Sequence, residues 1–67
     1  MDTRTRAFEY CIMQVNDYPA LADQINSFYS LFRMEISDPD TSVENEWELL
    51  YSDVEDLIKE YKSNTTV

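Results

Sequence analysis

A chain of 67 residues that is 43% hydrophobic and carries one Trp, five Tyr and three Phe holds enough apolar material for one small packed domain, and too much for a disordered chain. Fourteen Asp and Glu against five Lys and Arg, with no His, give a net charge of −9. That field repels nucleic acid and anionic membrane surfaces and draws in basic protein surfaces. The absence of glycine, with only two prolines, argues against tight hairpins and for helices on short joints, so the expected class is all-α.

From Thr3 to about Asn16, the residues Ala7, Phe8, Cys11, Ile12 and Val15 recur at helical spacing, with Asp2 or Thr3 available as N-cap. Phe8, Tyr10 and Ile12 also alternate, so residues 8–15 read as helix, the first expectation, or as strand, its rival. Either element should stop near Asn16 or Asp17, because the residue before Pro19 is pushed out of the α region. A second helix is expected over about Pro19 to Ile36, with Asp17 or Tyr18 near its cap. Its stripe is Leu21, Ile25, Phe28, Tyr29, Phe32 and Ile36. The joint Ser37 to Ser42, SDPDTS, is dense in turn formers, and Thr41 with Glu44 makes a capping-box pattern. It opens a third helix, over about Ser42 to Lys62, in which Val43, Trp47, Leu50, Val54, Leu57 and Tyr61 alternate in steps of four and three, widened by Tyr51 and Ile58. The tail of residues 63–67 has no periodic signal and is expected to fray. Residues 1–67 thus read as a single domain, a small antiparallel three-helix bundle. A domain of this size is marginal alone, which leaves a homodimer open.

Charge is spread unevenly. Met1 to Ser37 carries five acids and three bases, while Asp38 to Val67 carries nine acids and two bases, a local balance of −7. On the third helix Glu46, Asp53 and Glu60 recur every seven residues, Glu48 and Glu55 do so on another flank, and Asp56 falls between the rows. Asp38 and Asp40 extend the charge into the preceding joint. Any soluble helix has a charged face, but a sequence tuned only for stability mixes the signs. Here the like-charge pairs Glu44/Glu48 and Asp56/Glu60 each cost a few tenths of a kcal/mol. Carboxylates on a rigid helix are suited to a groove that normally grips phosphates through Lys and Arg. The expected partner is therefore a basic, nucleic-acid-handling protein rather than nucleic acid or a membrane. Its expected contacts are Asp38, Asp40, Glu46, Glu48, Asp53, Glu55, Asp56 and Glu60.

Tyr51 to Tyr61, YSDVEDLIKEY, resembles the acidic helices of phage antirestriction proteins, which mimic DNA and block DNA-binding enzymes. The resemblance spans about one sixth of the chain and rests on Glu55, Asp56, Leu57 and Ile58. It implies a DNA-mimicking inhibitor of phage type, with Asp53, Glu55, Asp56 and Glu60 presenting the charge.

Asp38, Asp40, Ser42 and Glu44 begin like the alternating oxygen ligands of a calcium loop. Val43 then stands where the sharp turn needs glycine, and Leu49 where the closing glutamate belongs, so no metal is expected. With no His, no glycine-rich phosphate cradle and acids that share one solvated surface, neither catalysis nor a cofactor is expected. A competing reading starts from the aromatics. Tyr10, Tyr18, Tyr29, Trp47, Tyr51 and Tyr61 are many rings for a small core, with Tyr10 and Tyr18 the expected exposed pair. On that reading the chain is a self-associating or scaffolding helical module that docks through aromatic surface. Cys11, among apolar neighbours, reads as a small buried hydrophobe suited to a reducing cytosol. No charged-then-apolar leader opens the sequence and no apolar run reaches membrane-spanning length, so a soluble cytoplasmic protein is expected. Without a leader, the glycosylation triplet Asn64, Thr65, Thr66 reads as coincidence.

Overall fold

The structure, a computed structural model, describes residues 2–65. It consists of helices α1 (Thr3–Asp17), α2 (Ala22–Ile36) and α3 (Val43–Thr65), with a 3₁₀ turn, Pro19–Leu21, ahead of α2. Residues 8–15 lie within α1. The helical period wins over the alternation of Phe8, Tyr10 and Ile12 because Ala7 and Cys11, four apart, are both buried and small enough to let α1 approach its neighbours closely.

The chain runs up, down and up. Thr3 meets Glu44, Tyr10 meets Trp47 and Tyr51, and Tyr18 meets Tyr61, so α1 and α3 run parallel with a nearly constant offset. Phe8 packs on Tyr29 as α2 returns antiparallel to both. The result is a slender bundle with extents of 45 × 18 × 17 Å. Its core is Ala7 and Cys11 from α1, Leu21 from the turn, Ile25 and Phe32 from α2, and Leu50, Val54 and Ile58 from α3.

Each joint follows from local chemistry. Tyr18 is held at φ −132° and ψ 68°, outside the helical region, as expected of a residue before proline. Its N–H donates to the Gln14 carbonyl at 2.8 Å, and its own carbonyl accepts the Leu21 N–H at 2.9 Å, closing the 3₁₀ turn. The α-helical ladder of α2 therefore starts at Ala22, three residues after the expected start at Pro19. Short 3₁₀ segments are frequent at helix ends, and this one places Leu21 in the core. At the far end of α2, the Ser37 hydroxyl donates to the Met34 carbonyl at 2.6 Å. Asp38 to Thr41 then forms a tight turn closed by the Thr41 N–H on the Asp38 carbonyl at 3.1 Å, with Pro39 presetting its second position.

The cap of α3 falls one residue later than expected. Ser42 Oγ, not Thr41, accepts the Asn45 N–H at 3.3 Å, while the Ser42 carbonyl accepts the Glu46 N–H at 3.1 Å. With Ser42 at the cap, Asn45 and not Glu44 holds the third helical position, so no capping box forms; the Glu44 carboxylate instead accepts the hydroxyl of Thr3 and ties the start of α1 to that of α3. Asp2 sits at the N-cap position of α1 without capping through its side chain. α3 also continues past Lys62 to Thr65, where fraying was expected. Neither proline nor glycine follows Lys62 to break the ladder. Residues 66 and 67 lie outside the described residues.

Because Ile25 is 0% exposed within the core cluster, Ile25→Ala should destabilise the fold by about 2–5 kcal/mol. Leu49→Ala, on an exposed face, should change stability by no more than about 0.5 kcal/mol. Urea denaturation followed by helical circular dichroism measures both, and matching midpoints for the two variants would contradict the core assignment.

Candidate functional site

Burial of Leu50, Val54 and Ile58 fixes how α3 is rotated, and that rotation sorts its acids into two flanks. Glu44, Glu48 and Glu55 fall on the flank beside α1. Glu44 accepts from Thr3 there, and Glu55 Oε1 accepts the Tyr10 hydroxyl at 2.7 Å. Glu46, Asp53 and Glu60 fall on the flank beside α2. Glu46 and Asp53 border a cleft shared with Phe28, Leu31, Phe32 and Glu35, and Glu60 borders another with Leu21, Gln24 and Leu57. At about 100° per residue the two rows lie about 150° apart around the helix. Asp56 faces outward between them and is exposed.

The eight expected contact residues therefore separate. Glu48, Asp53, Asp56 and Glu60 are exposed on α3, and Glu46 is half-buried at the cleft edge. Glu55 is half-buried and engaged by Tyr10, which takes it out of the outward-facing charge. Asp38 and Asp40 are exposed in the joint, but Asp38 Oδ1 accepts the Asp40 N–H at 3.0 Å, a local turn bond. Among the described residues, no group of three or more His, Cys, Asp or Glu is placed to hold a metal ion.

The cations are sorted too. Lys59 and Lys62 share a shallow cleft with Glu55 and Asp56, on the α1 side of α3. Lys62 also stands with its Nζ 5.4 Å from the centroid of the Tyr18 ring. Arg4 and Arg33 line a cleft between α1 and α2, away from α3. The row Glu46, Asp53, Glu60 thus keeps a single sign, and Glu35 of α2 adds a fourth carboxylate opposite Glu46 and Asp53.

Tyr10 and Tyr18 are not the exposed pair. Tyr10 packs against Trp47 at 5.4 Å and Tyr51 at 5.2 Å between ring centroids, and Trp47 meets Tyr51 at 5.7 Å. Tyr18 meets Tyr61 edge-on at 6.1 Å. The parallel course of α1 and α3 brings these rings together, and edge and tilted pairs of this kind add to simple area burial. Tyr51 is the exposed member of the first cluster. Burial, then the hydrogen bond and charge of Glu55, raise the Tyr10 phenol above its ordinary pKa, and burial alone moves the Cys11 thiol from 9.0 to about 11.

Sequence reasoning missed Leu31, Glu35 and Leu49. Leu31 and Leu49 lie just off the main stripes and are exposed, and with Glu35 they complete the wall of the α2–α3 cleft. The available signal was an apolar residue directly beside the stripe, at Leu49 next to Leu50, which a core does not require. Among the described residues, no helix is long and apolar enough to cross a membrane. Comparison with protein-family models, with curated proteins and with solved structures gives no match.

The raised thiol carries a pH dependence of known sign. Cys11 loses its proton more readily in the unfolded chain than in the bundle, so its contribution is intact below about pH 9 and is lost as pH rises towards 11. Tyr10, also raised, acts in the same direction at higher pH. The melting temperature should fall through this window, and iodoacetamide should modify native Cys11 much more slowly than denatured Cys11. A flat melting profile with equal alkylation rates would contradict the burial of the thiol.

Proposed function

We propose that this chain is a small, non-catalytic acidic protein that binds and inhibits a basic, nucleic-acid-handling protein by presenting a DNA-mimicking anionic surface. The observation that carries the reading is the outward display of Asp53, Asp56 and Glu60 on one long helix, with Glu46 at the cleft edge and Glu48 exposed on the opposite flank. Carboxylates seven residues apart on a helix repeat about every 10 Å along its axis, the spacing of about three phosphates along one DNA strand. A groove that grips a phosphate backbone through Lys and Arg would meet fixed charge of the same sign, already ordered by the bundle. The partner recognises charge and its spacing, so the bound helix excludes nucleic acid from the same groove. The resemblance of Tyr51 to Tyr61 to antirestriction DNA mimics points the same way, with Asp53, Asp56 and Glu60 as the carried-over charges. Glu55 contributes mainly through Tyr10 to the fold.

A second reading, a helical interaction module that docks by apolar contact, is favoured by a different observation. Phe8, Ile12, Met13, Leu31, Met34 and Leu49 are exposed, as is Tyr51. The surface it would use is thus more aliphatic than the aromatic one expected from sequence.

The test is affinity capture from the native host followed by competition and salt titration on the captured partner. Duplex DNA should displace the chain, and affinity should fall by about tenfold or more between 50 and 200 mM salt. The triple variant Glu46→Gln, Asp53→Asn, Glu60→Gln should bind about tenfold or more weakly while keeping its helical circular dichroism. Binding that is indifferent to salt, to duplex DNA and to the triple variant would refute the reading and leave apolar docking in its place.

A further inference from the structure

We propose that the cleft between α2 and α3 is a docking site for a basic amphipathic helix of a partner protein. The inference rests on the acidic-surface reading above and deepens it, by naming where on the surface, and by what shape, a basic partner is held. Leu31 and Leu49, 54% and 57% exposed, face each other from the two helices, above Phe28, Phe32 and Leu50. Glu35, Glu46 and Asp53 rim this apolar floor, and no cation lines it among the described residues. The cleft has a volume of about 160 Å³, below the roughly 300 Å³ at which small-molecule pockets begin. Its open form suits side chains of a surface laid across it.

Helix geometry explains why the occupant should be helical. α1 fills the groove on one side of the α2–α3 pair with Ala7 and Cys11, and the cleft is the equivalent groove on the other side. A fourth helix laid there would complete a four-helix arrangement, with anchors at i, i+3 or i+4, and i+7 meeting Leu31 and Leu49. Charge selects its chemistry. Three carboxylates at the rim, on a chain of net charge −9, call for Lys or Arg flanking those anchors. The same charge opposes a second copy of this chain at long range.

Three synthetic helical peptides of about 18 residues, five turns, serve as probes. The first carries Leu at i, i+3, i+4 and i+7 with Lys on its flanks; the second replaces Lys by Glu; the third keeps Lys and replaces Leu by Ser. Titration calorimetry and amide chemical shifts should show the Leu/Lys peptide binding with shifts centred on Leu31, Leu49 and Asp53. The Leu/Glu peptide should not bind, and the Lys/Ser peptide should bind at least roughly tenfold more weakly. The double variant Leu31→Ser, Leu49→Ser replaces two exposed side chains, so it should keep its helical circular dichroism and a cooperative melt and lose about tenfold in affinity for the Leu/Lys peptide. Equal binding of the Lys/Ser peptide, untouched by the double variant, would overturn the cleft while leaving the acidic-surface reading standing. Equal binding of the Leu/Glu peptide, or no binding of the Leu/Lys peptide, would overturn the basic-helix occupant. A dimer in sedimentation that the double variant dissolves would overturn it in favour of a second copy.

Discussion

The wedge of Leu50, Val54 and Ile58 between α1 and α2 decides nearly everything else about this molecule, because it fixes the rotation of α3 about its own axis. A helix turns about 100° per residue. A slip of one residue in the buried stripe would carry the carboxylates of one flank towards the interior, where an unpaired charge costs far more than any surface contact returns. Apolar packing thus holds the charge pattern in place, although no buried apolar residue bears a charge. The same wedge sets the parallel offset of α1 against α3, from which the Thr3–Glu44 and Tyr10–Glu55 bonds and the Tyr10, Trp47, Tyr51 cluster follow.

Electrostatics then divides the molecule. On the α1 flank the acids are partly occupied: Glu44 by Thr3, Glu55 by Tyr10, with Lys59 and Lys62 close by. On the α2 flank Glu46 and Asp53 stand with Glu35 around the exposed Leu31 and Leu49, and Glu60 borders a separate cleft further along α3. Like-charge neighbours on a helix cost only a few tenths of a kcal/mol each, and salt screens them. A core of eight buried apolar residues outweighs that repulsion. Long-range attraction and short-range apolar contact are then available on one side of the bundle, the combination that the proposed docking of a basic partner would use.

Much of the fold was legible in the sequence, because periodicity reports burial directly. Val43, Trp47, Leu50, Val54, Leu57 and Tyr61 all meet the core or its margin, and the break at Pro19 lies where the pre-proline constraint puts it. What stayed hidden depended on pairs far apart in sequence. Residues 8–15 fit two periods, and only the burial of Ala7 with Cys11 separates them. Tyr10 reads as exposed on α1 alone and becomes half-buried once α3 lies parallel to it. The cap falls on Ser42 rather than Thr41, and Glu44 engages Thr3, 41 positions away, a pairing that no local pattern announces. The acidic rows are visible as heptads, whereas their assignment to opposite flanks, and the leucines and Glu35 beside one of them, require the packed bundle.

The function proposed above makes the α2 flank of α3 the working face. Amide chemical-shift mapping of the chain bound to its captured partner tests it most directly. The largest shifts should cluster on Leu31, Glu35, Glu46, Leu49 and Asp53, with Phe8, Ile12 and Arg4 unmoved. Shifts concentrated on α1, with the α2–α3 cleft unperturbed, would contradict it.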